Sequence, residues 1–275
     1  TDKNSLIYVD TDSNYFSLSP LLDKLPKDAD NEQKFQLLQR FADGPMQDKI
    51  RELYQDYANY RNCPKNLMNM DREAISVEGG FWVKKKKYAL LVDDMEGKRY
   101  DEPQWKIMGL EAIKSGSYPE HVRKVLIDVI KLIVIDGENK VQEYIKELKK
   151  DFFTWKLDDF CFIKTTNQIT KWIDNNGNFI SGTPIQVKAA YNYNKYVKDN
   201  KLDLPLVEEG DKIKFVYIKT PNLIGTVIAY NDESDISSIV DLVDYHTHWE
   251  KNMLNPIKIM LDAVKFESEY KNKLF

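Results

Sequence analysis

The chain has 275 residues, 40 basic against 44 acidic side chains, a net charge of −4, 42% apolar residues and 31% charged ones. That length buries a sizeable core in one large or two modest domains, and that balance excludes disordered and collagen-like classes. Even the most apolar run, Val125–Ile135, carries Asp128 and Lys131 and is too short for a membrane span. Two distant cysteines, Cys63 and Cys161, fit neither a disulfide framework nor a thiolate zinc site, and the acidic balance leaves any nucleic-acid role to local clusters.

The cysteine usage predicts an intracellular, reducing home. The first residue is Thr1, and no basic-then-apolar leader follows it, which predicts no secretory signal and either processing or a longer parent protein.

Leu6–Ile7–Tyr8–Val9 and Tyr15–Phe16–Ser17–Leu18 are β-prone runs on either side of the polar Asp10–Thr11–Asp12–Ser13–Asn14, a hairpin with acids at its tip. From Asn31 to Tyr60 the spacing turns helical, through Phe35, Leu37, Leu38 and Phe41 and then Ile50, Leu53, Tyr54 and Tyr57, with a break expected at Gly44–Pro45. Ala74 to Val92 reads as two strands joined by a turn, containing Gly79–Gly80 and the run Lys84–Lys87. These pieces make a mixed α+β unit of roughly the first hundred residues.

In the second half, Ser117 with Glu120 has capping-box spacing, and Val122, Val125, Leu126, Val129, Ile130 and Ile133 follow a helical period. Val141, Ile145, Leu148 and Phe152 predict another helix after an Asp136–Gly137 turn. Gly177, Gly182, Pro184, Pro205 and Gly210 mark a loop-rich middle, and Ile213–Ile218 reads as a strand. Ile257, Met260, Leu261 and Val264 give a last helix opened by Pro256.

Asp10 and Asp12 stand two apart at the end of a strand, so in extended backbone both leave on one face. Such a pair repels unless a divalent cation sits between them, and magnesium prefers hard oxygen ligands of this kind. The same D-T-D-S string is also an ordinary polar turn, because Asp, Ser and Asn bond to their own backbone there.

The surrounding residues add a resemblance. Ile7–Tyr8–Val9–Asp10–Thr11–Asp12–Ser13 resembles the third polymerase motif of family B DNA polymerases. In order after it, Met70–Asp71–Arg72–Glu73–Ala74–Ile75–Ser76, Gly79–Gly80–Phe81–Trp82, Lys85–Lys86–Lys87–Tyr88–Ala89–Leu90, Asp94–Met95–Glu96–Gly97–Lys98–Arg99 and Lys106–Ile107–Met108–Gly109–Leu110–Glu111 are similar to the palm of the T-even phage replicative polymerases. Asp244–Tyr245–His246–Thr247–His248–Trp249 and Asn255–Pro256 resemble, more loosely, the helical end of that family's thumb. The resemblance implies an α+β fold: a partial palm over 1–110, an antiparallel sheet with flanking helices, then a mostly helical thumb over 111–275 with a clamp-binding tail.

It also implies roles. Asp12 would ligate two magnesium ions directly, with Asp10 as its companion ligand and Asp71 and Glu73 as acids lining the same catalytic site. Two ions about 4 Å apart would activate the primer hydroxyl and stabilise the incoming dNTP's phosphates. Lys85, Lys86, Lys87 and Tyr88 would follow primer-template DNA from the minor-groove side, with Lys87 standing where the family has arginine and so lacking the planar fork. Leu274 and Phe275 would anchor a sliding clamp. Read from composition alone, the lysine run is equally a solvated strand edge. Lys164–Thr165 and Lys188, Tyr191, Tyr193 and Lys195 mix bases with aromatics and read as packing before phosphate contact. His246 and His248, two apart on a helix, do not suit a metal.

The family's first palm aspartate, its fingers helix and its exonuclease acids are missing from these 275 residues. The expectation is therefore a C-terminal subunit of a split phage polymerase in the cytoplasm of an infected bacterium, inactive alone, sharing its two Mg2+ ions with an N-terminal polymerase subunit and without membrane partners. The rival expectation is a non-catalytic, polymerase-derived DNA-binding or clamp-tethering protein.

Overall fold

A computed structural model describes residues 5–267, and the chain divides into two units, Thr1–Gly109 and Leu110–Phe275. The first unit opens with β1 (Leu6–Asp10) and β2 (Ser13–Phe16), paired antiparallel with Asp10 opposite Ser13. A short helix, α1 (Ser19–Leu22), follows with proline in its first turn. Asp30 caps α2 (Asn31–Phe41): its carboxylate accepts from the Gln33 N–H at 2.8 Å, while the Gln33 side chain accepts from the Asp30 N–H at 3.1 Å. The break expected at Gly44–Pro45 does not occur. A π-helical turn, Ala42–Met46, carries the chain into α3 (Gln47–Tyr60), and its wider winding accommodates the N–H that Pro45 lacks.

Four strands then form one sheet: β3 (Ala74–Ile75), β4 (Gly79–Lys84), β5 (Lys87–Met95) and β6 (Lys98–Met108). The long, buried β5 is central and antiparallel to the other three. β6 escaped the sequence reading because Asp101–Glu102–Pro103 interrupts its apolar pattern. It pairs with β5 alone among the described strands, and a sheet edge is where a proline's missing donor does little harm. At Gly80 the sheet is tightest, since a Cβ there would lie 2.1 Å from the Ala89 carbonyl oxygen. Phe35, Leu38 and Ile75 form one apolar cluster, with Leu18, Leu22 and Val77 packed on it. Tyr88, Leu90 and Val92 form a second, beneath Tyr15 and Trp82.

The second unit begins with α4 (Glu111–Lys114), α5 (Glu120–Lys131) extended by a π turn over Leu132–Asp136, and α6 (Glu138–Phe152). The apolar positions predicted from spacing on α5 and α6 are all buried. The Ser117–Glu120 capping box does not form. Pro119 itself holds the cap position, and Ser117 lies outside the helix with its carbonyl accepting from the Ile163 N–H at 3.0 Å. After α7 (Leu157–Phe160) come β7 (Phe162–Thr165), α8 (Ile185–Asp199), β8 (Lys212–Tyr217) and β9 (Val227–Tyr230).

The three strands form an antiparallel sheet in the order β7–β8–β9, so this unit is less purely helical than expected. Helix α8, with 15 residues, occupies what the sequence suggested was loop; the glycines and prolines that gave that impression lie outside it. Its buried face, Val187, Ala189, Ala190, Tyr193 and Val197, packs on β9. The last described elements are α9 (Tyr245–His248), a π turn over Trp249–Leu254, and α10 (Asn255–Val264), so Pro256 continues a helical run instead of opening one. Both cysteines are free, and burial pushes the Cys161 thiol up to about 11. Among the described residues no helix is long and apolar enough to cross a membrane.

His248 is buried, and its Nε2 accepts from the Tyr217 N–H at 2.9 Å, a bond available only to neutral imidazole. Burial lowers its pKa to about 3, against an opposing pull from Asp244. In the unfolded chain it takes a proton below about 6.5. The unfolded state therefore binds more protons as pH falls from 6.5 towards 3, and stability drops by up to about 1.4 kcal/mol per pH unit. Urea unfolding followed at pH 7 and pH 4.5 should show the wild type losing about 2 kcal/mol more than His248→Gln between those values. Equal losses would mean that His248 protonates freely in the fold.

Candidate active site

The hairpin turn is built from Thr11 and Asp12 alone, because Asp10 belongs to β1 and Ser13 and Asn14 belong to β2. Asp12 is thus a turn residue and not a strand residue, and the same-face argument for Asp10 and Asp12 fails. Asp10, still in β1, faces the turn that joins β4 to β5. Its carboxylate accepts from the Thr11 N–H at 2.9 Å and from the Tyr8 hydroxyl at 3.2 Å, and lies 3.7 Å from the Lys86 ammonium. These hold its pKa below the usual carboxylate value: the Thr11 bond first, opposed by slight desolvation, then Lys86, Tyr8 and Lys85. The Tyr8 hydroxyl in turn accepts from the Lys86 N–H at 3.0 Å. Asp10 is therefore anchored between the two turns, beside the exposed Lys86 ammonium.

Asp12, unlike Asp10, lines a cavity of about 470 Å³ inside the first unit, whose lining also includes Asn14, Asp71, Glu73 and Lys106 together with the apolar Leu38, Met46 and Leu90. Asp71 accepts from Asn69 Nδ2 at 2.5 Å and from Gln47 Nε2 at 3.4 Å, and Gln47 also donates to the Met70 carbonyl at 2.8 Å. Glu73 is ion-paired with Lys106. The structure so brings three of the four predicted acids to one cavity. Carboxylate oxygens of this kind fit magnesium in chemistry. In number they fall short, because no group of three or more metal-ligating side chains close enough to hold an ion occurs among the described residues.

The predicted DNA-contacting run divides. Lys85 and Lys86 form the exposed β4–β5 turn, with Lys86 at φ +61°, and Lys87 enters β5 opposite Lys84. Gly109 packs beneath this turn, where a Cβ would meet the Lys86 carbonyl oxygen at 2.3 Å. Tyr88 is only 6% exposed, its hydroxyl 2.9 Å from that of Tyr15 and its ring stacked on Trp82. Burial first, then the Tyr15 hydrogen bond, push its phenol up. So buried a ring holds the hairpin on the sheet.

Elsewhere Tyr193 is fully buried, in keeping with packing, whereas Lys164 shares a shallow recess with Lys212, Ser115, Ser117 and Gln186. His246 packs tilted against Phe153 and His248 is buried between Phe160, Phe162 and Tyr217, so the two rings sit in different surroundings. Leu274 and Phe275 lie outside the described residues. The reading of the sequence missed Arg72, which links Asp43 and Asp94, and Lys106, which holds Glu73. A single arginine between two acids in D-R-E was the available signal.

No protein-family model matches the chain. It is 31% identical over 288 residues to the DNA-directed DNA polymerase of Enterobacteria phage T4, covering 99% of this chain and 32% of that protein. It is 35% identical over 285 residues to the DNA-directed DNA polymerase of Escherichia phage RB69, covering 98% of this chain and 31% of that one. The solved structure of the family B DNA polymerase from the archaeon Pyrobaculum calidifontis aligns with 80% of this chain and 25% of its own, at 17% identity and a TM-score of 0.46. Nearly end to end, this chain is a homologue of the T4 and RB69 DNA polymerases, spanning about a third of their length and fitting their C-terminal part.

Proposed function

We propose that the chain supplies part of the active centre of a phage DNA-directed DNA polymerase, with the first unit as the remainder of its palm and the second as its thumb. The observation that carries this reading is the shared cavity of Asp12, Asp71 and Glu73, in a chain whose full length aligns with such enzymes. Asp12, exposed in its turn, would hold divalent cations together with acids from outside these residues. Bound there, magnesium supplies activation of the primer hydroxyl and neutralisation of phosphate charge. Lys85 and Lys86 give the exposed β4–β5 turn a positive face suited to a DNA backbone.

The relatives are about three times as long, so the remaining active-centre acid and the nucleotide-gripping and exonuclease parts come, in this proposal, from a separate N-terminal subunit. The test is primer extension with a labelled primer-template, dNTPs and magnesium, using this chain, a polypeptide equivalent to the relatives' remaining two thirds, and the two mixed. Extension by the mixture alone is expected. No extension by the mixture, or full extension by this chain alone, would overturn the proposal.

A further inference from the structure

We infer that Arg72 is a positioning residue, which fixes the Asp71–Arg72–Glu73 segment so that both carboxylates stay on the wall of the cavity that Asp12 enters. The three residues lie just ahead of β3, and their exposure alternates: Asp71 and Glu73 are exposed, whereas the Arg72 side chain is only 12% exposed. Its guanidinium meets Asp43 through two nitrogens, Nε to Oδ1 at 2.6 Å and Nη2 to Oδ2 at 3.4 Å. The third nitrogen donates to Asp94, a carboxylate 1% exposed in β5 that also accepts from the Gly97 N–H at 3.0 Å.

One planar cation thereby joins three separate pieces of backbone: the π turn that carries Asp43, the acidic segment, and the β5–β6 turn that Asp94 braces. The geometry demands a fork. A lysine ammonium is a point charge and cannot hold one carboxylate side-on while bonding a second across the plane. The neighbouring ties, Gln47 to the Met70 carbonyl and the Glu96 N–H to the Glu73 carbonyl at 2.6 Å, secure the backbone on either side but leave the middle residue to Arg72. That these carboxylates serve cation-dependent nucleotide transfer rests on the proposed function; that Arg72 sets their segment does not.

Two measurements separate these points. Amide hydrogen exchange by mass spectrometry on the full chain, wild type against Arg72→Lys and Asp43→Asn, should show exchange about tenfold faster in peptides covering residues 69–75, with the β4–β5 region at 79–92 unchanged. Asp43→Asn should act on the same peptides to a smaller extent. Unchanged exchange at 69–75, or faster exchange throughout 79–92, would overturn the assignment. In the reconstituted polymerase, Arg72→Lys should raise the magnesium concentration for half-maximal extension about tenfold at unchanged primer-template affinity. A wild-type magnesium profile for the variant counts against Arg72, whereas a wild-type mixture that does not extend primers counts against the polymerase reading and leaves the exchange result to decide on Arg72.

Discussion

Asp12→Ala is expected to reduce primer extension by the reconstituted polymerase by ~10³-fold or more while leaving binding of primer-template intact. Removing a carboxylate that holds a cation at developing phosphate charge forfeits on the order of 4 kcal/mol of transition-state stabilisation, at 1.36 kcal/mol for each factor of ten. The fold should not register the change, because Asp12 is exposed in a two-residue turn and has no hydrogen bond or ion pair among the described residues. Single-turnover extension at saturating magnesium measures the effect, with circular dichroism as the control on folding. Extension within about threefold of wild type would show that Asp12 is no ligand and would favour the non-catalytic DNA-binding alternative.

Gly80→Ala is expected to destabilise the first unit by about 3 kcal/mol or more, enough to prevent folding if the unit is marginal. The added methyl would sit 2.1 Å from the Ala89 carbonyl oxygen and 2.8 Å from the Leu90 Cα, both backbone atoms of the central strand. A flexible side chain could swing aside, but β5 is hydrogen-bonded on both flanks and buried from Tyr88 to Asp94. Gly79, where a Cβ would meet nothing within 4 Å, provides the matched control, although its φ of +84° carries a backbone penalty of its own. A denaturant midpoint for Gly80→Ala equal to that of the wild type would show that β4 can move away from β5.

Much of this was legible in the chain. Helices α5 and α6 bury the very positions that helical spacing marked, since a wide apolar stripe leaves one packing solution. The hairpin and β8 were visible from β-branched and aromatic runs bounded by polar or glycine residues. What failed did so for identifiable reasons. Helix α8 hid because small and polar groups, Ala189, Ala190 and Asn192, stand among Val187, Tyr193 and Val197 on its buried face and blur the apolar stripe. The expected break at Gly44–Pro45 is absorbed by a π turn, and the Ser117 cap is displaced by Pro119 at the cap position.

At the site, the family resemblance located Asp12, Asp71 and Glu73, but not their surroundings. Whether a carboxylate is free or spent depends on which cation lies within reach, and Lys86 for Asp10 and Lys106 for Glu73 come from 76 and 33 positions away in the chain, distances in sequence that no local pattern encodes. Tyr88 likewise reads as a surface aromatic beside four lysines until the hairpin is folded over it.

The π turn at Ala42–Met46 has an evolutionary corollary. Such a turn is a helix with a supernumerary residue looped into it, so a related polypeptide shorter by about one position there could keep α2 and α3 in the same rotational phase. What such a deletion would sacrifice is the bulge that presents Asp43, and with it one of the two acids that meet Arg72.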